Sequence, residues 1–464
     1  MCGMFNAQGN VLVFLVHVRS DMSFVASATS ITSSRMDLMR ILSNGFPTNL
    51  PDSETISQGG PANFARLFIN YIIASHLDHQ WVGVVMERGS EGAHMKEVFA
   101  SNFRRYFSLE IPAQTLRDIT KAKKVSDPTQ ILAEPIALLV ECIRLQKPDV
   151  VFLNGFGLLN WMLLKAAEEV GVPVVIQHAG IWTKELDVHQ DLYSEHGRAM
   201  MEQMEKDSTR VASVEVFLNR WSRDYYRLRV ASGDVRKTEV VPLPFDFETF
   251  RALSMQKDTS LFRFRKAEKH IGIIARWDDI KNHDAIVAIA KEAHTRGLPW
   301  RFHAVVEIPE KMQSSEKVRE YKEYVSVVDP LDRAGVSDFC RSVDMLFLPS
   351  LFDVSPTVVL EAMALDTPIA ISPNVGYVQD FLETGAGEWV IDVSDAAHAT
   401  EALALVMGRS MPEMLKQRLF EIHDHRAVFD RYLELFAGAH VRGLSLGAAF
   451  PILWRQEMQR LFTR

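Results

Sequence analysis

Apolar residues along this chain fall into two alternating patterns, and their order predicts a fold. Short continuous apolar runs at 11–18, 81–86, 149–153, 172–177, 214–218 and 239–241 read as buried strands. Between them, 61–76, 128–145 and 158–170 repeat apolar positions every three to four residues. In 61–76 the stripe is Phe64, Leu67, Phe68, Tyr71 and Ile72, one face of a helix. Uninterrupted strands alternating with amphipathic helices predict a parallel sheet covered on both faces. Residues 20–57 follow neither period and are rich in Ser and Pro, so a loop or insertion is expected there.

The rhythm breaks at Pro242-Leu-Pro-Phe-Asp, and a polar stretch to Lys266 reads as an interdomain linker. It then restarts. Strands are expected at 270–275, 301–306, 324–327, 345–348, 368–371 and 389–393, with helices at 281–296, 336–341, 357–365 and 396–407. Residues 411–464 are amphipathic and helical without a strand. The fold class expected is α/β, with two doubly wound, Rossmann-like halves at 1–245 and 246–410. The tail 411–464 is expected to pack back toward the first half. Two such halves enclose a cleft between the carboxyl ends of their sheets, where ligands of open α/β sheets bind.

Composition narrows the partners. The 464 residues are 47% hydrophobic and 24% charged, the balance of a globular protein, which excludes disordered and fibrous classes. Lys and Arg number 51 against 59 Asp and Glu, a formal charge of −8, so nucleic acid is not an expected partner. Cys2, Cys142 and Cys340 are too few and too scattered for a disulfide framework or a zinc site. They read as reduced thiols of a cytoplasmic protein. No apolar run approaches the roughly 18–20 residues that cross a bilayer. The 11–18 run is short, with no Lys or Arg before it, and reads as a strand rather than a signal peptide. Peripheral membrane contact is compatible with the sequence and not required by it.

Candidate chemistry concentrates in Pro349-Ser-Leu-Phe-Asp-Val-Ser-Pro-Thr-Val-Val-Leu-Glu-Ala-Met-Ala-Leu-Asp-Thr-Pro. Ser355 followed by Pro356 predicts a helix start, with Ser355 as N-cap and Pro356 in the first turn. The free N–H groups of Thr357 and Val358 would then make an anion site. Asp353 precedes the cap, and Glu361 lies about one and a half turns inside the helix. Alone, the pair is equally compatible with ligand contacts, one carboxylate at a polar head and the other at hydroxyls deeper in, and with ordinary roles, one assisting a cap and the other on a solvated helix face. Upstream, Arg276 and Lys281 flank a strand-to-helix turn, a spacing that by itself describes a solvated basic loop. Gly59-Gly60-Pro61 opens a helix and suits either a plain turn or a close approach to phosphate. His178 ends a strand, where packing is the ordinary role. Trp221, Tyr225 and Tyr226 suit a sugar site or, preferably, helix packing. G-x-x-x-x-G-K-[ST], H-E-x-x-H, G-x-G-x-x-G after a strand, and an Asp-x-Asp pair at a strand end are all absent.

Taken together these segments resemble a family. Asp353, seven residues, Glu361-Ala-Met-Ala and Thr367-Pro368 are similar to the signature of GT-B-fold retaining glycosyltransferases of the large nucleotide-sugar family four. Ile271-Gly-Ile-Ile-Ala-Arg with Lys281, Ser337–Ser350 and Asn374-Val-Gly-Tyr-Val-Gln-Asp resemble its neighbouring segments in the same order. The likeness is ordered from about 270 to 393, recognisable from 149 to 250, and thin before 149. Four substitutions stand out: Asp353 for Glu, Asp366 for Gly, Tyr377 for a second Gly, and Asn219 for Ser; the common Asn-Gly of the hinge is absent as well.

The resemblance implies transfer of a sugar from a nucleotide-diphosphate donor to an acceptor hydroxyl, with retention and without a metal or cofactor. By the same likeness, Arg276 and Lys281 would stabilise the departing diphosphate, which can itself take the acceptor's proton. Glu361 would hold the ribose hydroxyls, and Asp353 and His178 would orient the donor sugar. Gly59, Gly60, Ser355, Thr357 and Val358 would hold phosphate and sugar oxygens. The alternatives left open are a nucleotide-sugar epimerase or phosphorylase on the same scaffold, and a non-catalytic partner subunit. The donor base, donor sugar and acceptor (glycan, lipid or small molecule) are not specified.

Overall fold

A computed structural model describes residues 4–5, 11–17, 25–30, 38–46, 60–75, 78–89, 91–188, 193–230, 238–254, 262 and 264–441. Met1–Met39 is a compact unit of its own, apart from Arg40–Arg464. It holds an antiparallel sheet of Met4–Phe5, Val11–His17 and Val25–Ser30. The apolar run at 11–18 is thus a strand, but it pairs locally instead of opening the parallel sheet.

Arg40–Asn44 opens it instead, inside the stretch expected to be a loop. The first sheet of Arg40–Arg464 orders Thr238–Val240, Val214–Phe217, Val174–His178, Val150–Asn154, Arg40–Asn44, Gln80–Gly89, Arg104–Pro112 and His94–Ala100. All neighbours are parallel except the final pair, an antiparallel edge hairpin. That hairpin carries Lys96, Glu97, Arg105 and Glu110 and pairs them in salt bridges, which conceals its period and protects the edge. Val150–Asn154 is buried throughout, as a central parallel strand requires. Leu139, Ile143, Val151, Leu163 and Met204 fill the core between this sheet and its helices. The helix expected at 128–145 divides at Leu132, giving Pro128–Ile131 and Ala133–Gln146. Pro135 sits in the first turn of the second piece, where no helical N–H is needed.

The second sheet orders Val325–Val328, Trp300–Val305, Lys269–Ile274, Met345–Leu348 and Ile369–Ile371, all parallel. Ile271, Phe302, Phe339, Leu346 and Met363 build its core. No strand forms at 389–393. Gly387–Trp389 is a 3-10 turn that buries Trp389 in this core, and only Val390 bridges to Ile371.

The chain crosses between the halves twice. Phe245 N–H donates to His423 O (2.8 Å), and the buried His423 donates Nδ1–H to Leu243 O (2.6 Å). Glu413–Ile422 packs on the second half, while residues 425–441, also helical, lie on the first. There Phe429, Tyr432 and Phe436 meet Phe64 and Phe152 with centroid separations of 5.0–5.6 Å. Tyr432 also donates to Gln177 Oε1 (2.7 Å). No described helix is long and apolar enough to cross a membrane.

Candidate active site

In the second sheet the chain winds outward in both directions from the neighbours Lys269–Ile274 and Met345–Leu348, leaving a crevice beyond their carboxyl ends. Arg276 and Pro349 emerge there. Asp278 caps the 3-10 turn Asp279–Lys281 by accepting from Ile280 N–H (3.0 Å). Asn282, left-handed at φ 57°, caps helix His283–Thr295 and donates Nδ2–H to Pro349 O (3.2 Å). Leu351 N–H donates to Ile280 O (2.8 Å). Laced to this neighbouring strand end, the turn delivers Lys281 Nζ to Asp353 Oδ2 in a hydrogen-bonded ion pair. These side chains are only 16% and 14% exposed, so the pair works in a partly desolvated setting.

The Arg276 side chain is 71% exposed, open to a ligand, and its guanidinium lies 3.8 Å from Asp278. Its backbone is held from behind. His283 donates Nε2–H to Arg276 O (2.9 Å), stacks on Trp277 (4.5 Å), and accepts at Nδ1 from the Tyr321 hydroxyl (3.3 Å). Burial keeps this imidazole below its ordinary pKa, consistent with a neutral ring that both donates and accepts.

Asp353 is fixed through its backbone. Its N–H donates to Asn374 O (3.1 Å), and Gly376 N–H donates to Asp353 O (2.8 Å). A Cβ on Gly376 would lie 1.9 Å from Val354 O, so only glycine permits this approach. From the first half, Asn219 donates Nδ2–H to Val354 O (2.6 Å) while its Oδ1 caps helix Arg220–Arg229. Trp221 and Tyr225 pack on Phe352 at 5.3 and 5.9 Å, an interface role rather than a sugar platform.

The helix after this loop is Thr357–Ala364, and Pro356, not Ser355, occupies its N-cap position. The bridge between Asp353 and Val375 draws the preceding backbone alongside 374–377, so Ser355 Oγ shares a hydrogen bond with the buried Tyr377 hydroxyl (2.9 Å). Thr357 and Val358 therefore keep amides without a side-chain cap at the positive end of the helix. Glu361, half-buried on this helix, is pushed up to about 7 by burial, with Arg333 pulling the other way. Asp366 takes φ 57°, the left-handed conformation a Gly would otherwise supply.

On the first half, Gly59 lies outside the described residues. Gly60 begins helix Gly60–Ala74, and a Cβ there would meet nothing within 4 Å. His178 departs from expectation. Its side chain has no exposed surface, stacks on Phe217 (4.6 Å), and donates Nε2–H to Glu215 Oε1 (3.2 Å). A ring enclosed this way packs the core and is not presented to a donor sugar. The crevice thus gathers Arg276, Lys281, Asp353 and the Thr357 and Val358 amides, and leaves His178 out. Sequence reasoning passed over Asn282 and His283. Both stand beside Lys281 and were open to a capping and stacking argument.

The family described as glycosyl transferases group 1 matches residues 268–408. The "Putative glycosyltransferase EpsF" of Bacillus subtilis (strain 168) is 24% identical over 156 residues, 33% of this chain and 40% of that protein. The match therefore spans less than half the length of that relative. Sucrose-phosphate synthase from Thermosynechococcus elongatus superposes with a TM-score of 0.63 at 15% identity, covering 86% of this chain and 100% of the other. An alpha,alpha-trehalose-phosphate synthase (UDP-forming) from Burkholderia xenovorans, in complex with glucose-6-phosphate, gives 0.61 at 11% identity, covering 86% and 99%. At such identities the superpositions speak for the fold alone. The chain has the GT-B fold, and its residues 268–408 match the glycosyl transferases group 1 family.

Proposed function

We propose that this protein transfers a sugar from a nucleotide-diphosphate donor to an acceptor hydroxyl, with retention of anomeric configuration and without a divalent metal. The observation that carries this reading is the Lys281–Asp353 pair at the strand-end crevice, with Arg276 open beside it. Cleaving a sugar–phosphate bond places negative charge on the departing diphosphate. Two fixed cations and the uncapped amides of Thr357 and Val358 stabilise that charge in place of a metal. Asp353 is held at its backbone, so its carboxylate can contact sugar hydroxyls while remaining paired. Glu361 accepts from the ribose hydroxyls, and Ser355 and Gly60 line the phosphate side. His178 acts from the core, supporting the strand end that carries it. The acceptor bond forms on the face from which the diphosphate leaves.

The test is a thermal-shift screen with UDP-, GDP-, ADP- and dTDP-glucose, followed by diphosphate release and anomeric analysis of the product. UDP-glucose is the first choice, because one structural relative is named as UDP-forming. Stabilisation by one donor, loss of most turnover in Lys281→Ala and Glu361→Ala, a retained anomer and indifference to EDTA are expected. Near-normal kinetics in both variants sinks the site, and an inverted product sinks the stereochemistry.

A further inference from the structure

The first half has a carboxyl-end cavity of its own, and its lining deepens the transferase reading above, on which this inference rests. The cavity measures about 570 Å³, within the roughly 300–1,000 Å³ of small-molecule sites. Its walls come from the chain where it leaves successive parallel strands. Met86 and Arg88 end Gln80–Gly89, Ala113 follows Arg104–Pro112, Leu158 follows Val150–Asn154, and Trp182 follows Val174–His178. Ligands of open parallel sheets bind beyond such strand ends. Trp182 opens helix Trp182–Val188, which packs against the turn Asp279–Lys281 of the second half. Buried Glu205 fixes that start by accepting from Trp182 N–H (2.8 Å) and Thr183 N–H (2.7 Å). One wall of the cavity thus belongs to the helix that meets the Lys281 turn.

The lining has two kinds of surface. Leu116, Leu158, Met201 and the rings of Trp182 and Tyr193, 6.1 Å apart, make a bed that is apolar and partly aromatic. Two guanidiniums stand beside it. Arg88 shares a strand face with Met86, and Arg117 shares a helix face with Ala113, Leu116 and Thr120. Arg88 is exposed, with no hydrogen bond or ion pair among the described residues. Arg117 donates Nε–H and Nη2–H to Gln114 Oε1 (3.2 and 2.9 Å) and pairs with no carboxylate among the described residues. Asp118 instead accepts from the Gln114 amide (2.6 Å). Glu87, the acidic residue at this rim, alternates to the other face of its strand and accepts from Ser108 Oγ–H (2.7 Å). The cavity therefore sets two cations without carboxylate partners beside an apolar bed.

We infer that the acceptor is an anionic amphiphile, a hydroxyl compound whose apolar or aromatic body occupies this cavity and whose carboxylate or phosphate is held by Arg88 and Arg117. Both anions match the fork of a guanidinium and accept two charge-assisted hydrogen bonds from it. The apolar bed takes the body, by burial and by contact with the Trp182 and Tyr193 rings. The Trp182 indole N–H meets no acceptor among the described residues and is left for an oxygen of the ligand. The hydroxyl end lies toward helix Trp182–Val188, beside the turn that carries Lys281 and so beside the departing diphosphate. A neutral sugar uses neither the cations nor the apolar walls, and a small anion without a body uses the cations alone.

The experiment uses the full chain and hydroxyl compounds that separate the two features: glucose, glucuronate, p-nitrophenyl glucoside and p-carboxyphenyl glucoside, the last pair nearly isosteric and differing in charge. Calorimetry measures the binding of each without donor, and diphosphate release then measures transfer from the donor chosen by the thermal-shift panel. p-Carboxyphenyl glucoside should bind at least about tenfold more tightly than each of the others, the scale of a charge-assisted hydrogen bond. Arg88→Gln combined with Arg117→Gln should bring the affinities of the two aryl glucosides together and raise KM for the carboxyphenyl compound by the same factor. Leu116→Trp fills the cavity and should weaken both aryl glucosides; if that variant does not fold, the arginine pair decides. Equal wild-type affinity for the two aryl glucosides overturns the anionic requirement, and glucuronate binding as tightly as the carboxyphenyl compound overturns the apolar one. A carboxyphenyl preference that survives the arginine substitutions puts the ligand elsewhere and overturns the site. Diphosphate release with the other compounds but not with p-carboxyphenyl glucoside overturns its standing as acceptor class. Binding as expected, with no diphosphate release from any donor, refutes the transferase reading and with it the acceptor role; calorimetry, which needs no turnover, tells that failure apart from failure of the site.

Discussion

Removing the Lys281 ammonium separates two roles of one side chain, the ion pair with Asp353 and the proposed stabilisation of the diphosphate. Lys281→Ala leaves the Asp353 carboxylate 14% exposed and without its cation. Breaking a fully buried pair costs about 3–5 kcal/mol. Residual exposure here lets water replace part of the lost contact, so about 2 kcal/mol is expected, seen as a lower melting temperature. The chemical loss is larger. A fixed donor aimed at developing charge contributes about 100–1000-fold to kcat. Lys281→Met with Asp353→Asn then separates the two effects. The neutral pair no longer buries an uncompensated charge, so stability returns to within about 1 kcal/mol of wild type, while diphosphate release stays at the level of Lys281→Ala. Thermal denaturation and release of diphosphate from the panel donor are the two assays. Turnover within about threefold of wild type in Lys281→Ala, or recovery of turnover in the double variant, refutes the reasoning, since either result makes the lysine a structural counter-ion only.

Three further outcomes follow from the geometry. Because Glu361 is raised from 4.5 to about 7, the folded protein binds a proton there that the unfolded chain releases. Its stabilising contribution is complete below pH 4.5 and lost as pH rises through about 7, a span of at most about 3 kcal/mol. Melting temperature between pH 5 and 8 should therefore fall less steeply in Glu361→Gln than in wild type, and parallel slopes would contradict this (the pH limits being roughly those that bracket the shifted carboxyl). Gly376→Ala forces a methyl to within 1.9 Å of Val354 O and into the Asn219 amide, so about 2–3 kcal/mol of stability and much of the donor affinity should be lost. A variant with wild-type melting and binding would show that the loop yields freely. Tyr377→Phe removes the partner of Ser355 Oγ and should cost about 1 kcal/mol, raising KM for the donor with little change in kcat. Measured steady-state kinetics with an unchanged KM would place Ser355 outside the donor site.

Much of this was legible in the chain because the relevant physics is local. Parallel strands such as Val150–Asn154 and Met345–Leu348 are buried on both faces and show as continuous apolar runs. The Lys281 turn and the loop to Thr357 follow such strands directly, so their place at a carboxyl-end crevice needs no tertiary knowledge. What stayed hidden depends on pairing at a distance. Arg40–Asn44 begins with a charged residue whose guanidinium is satisfied only by Gln80 and Gln146, so its run looks too short for a central strand. Ser355 before Pro356 is a sound capping signal, overruled by the bridge between Asp353 and Val375, a pairing with a segment distant in sequence. His178 ends its strand as expected, but the side on which its ring lies is decided by Phe217 and Glu215 on the adjacent strand.

The four departures from the family pattern bear on whether the crevice is a working site or a decayed one. Decay removes selection on a site and leaves buried polar groups unpaired, each at a cost of roughly 1–3 kcal/mol. Here every substituted residue has a partner. Asp353 is one methylene shorter than Glu and reaches Lys281. Asp366 adopts the left-handed turn and pairs with Lys416. Tyr377 is buried and ties its hydroxyl to Ser355. Asn219 uses the extra donor that Ser lacks to reach Val354 O across the halves. Three of these four contacts converge on residues 353–355, the segment that carries Asp353. Substitutions that tighten one short segment, while leaving Arg276 exposed and the Thr357 and Val358 amides uncapped, are what adjustment to a particular donor and acceptor requires. They favour a transferase with its own specificity over a partner subunit that has lost its chemistry.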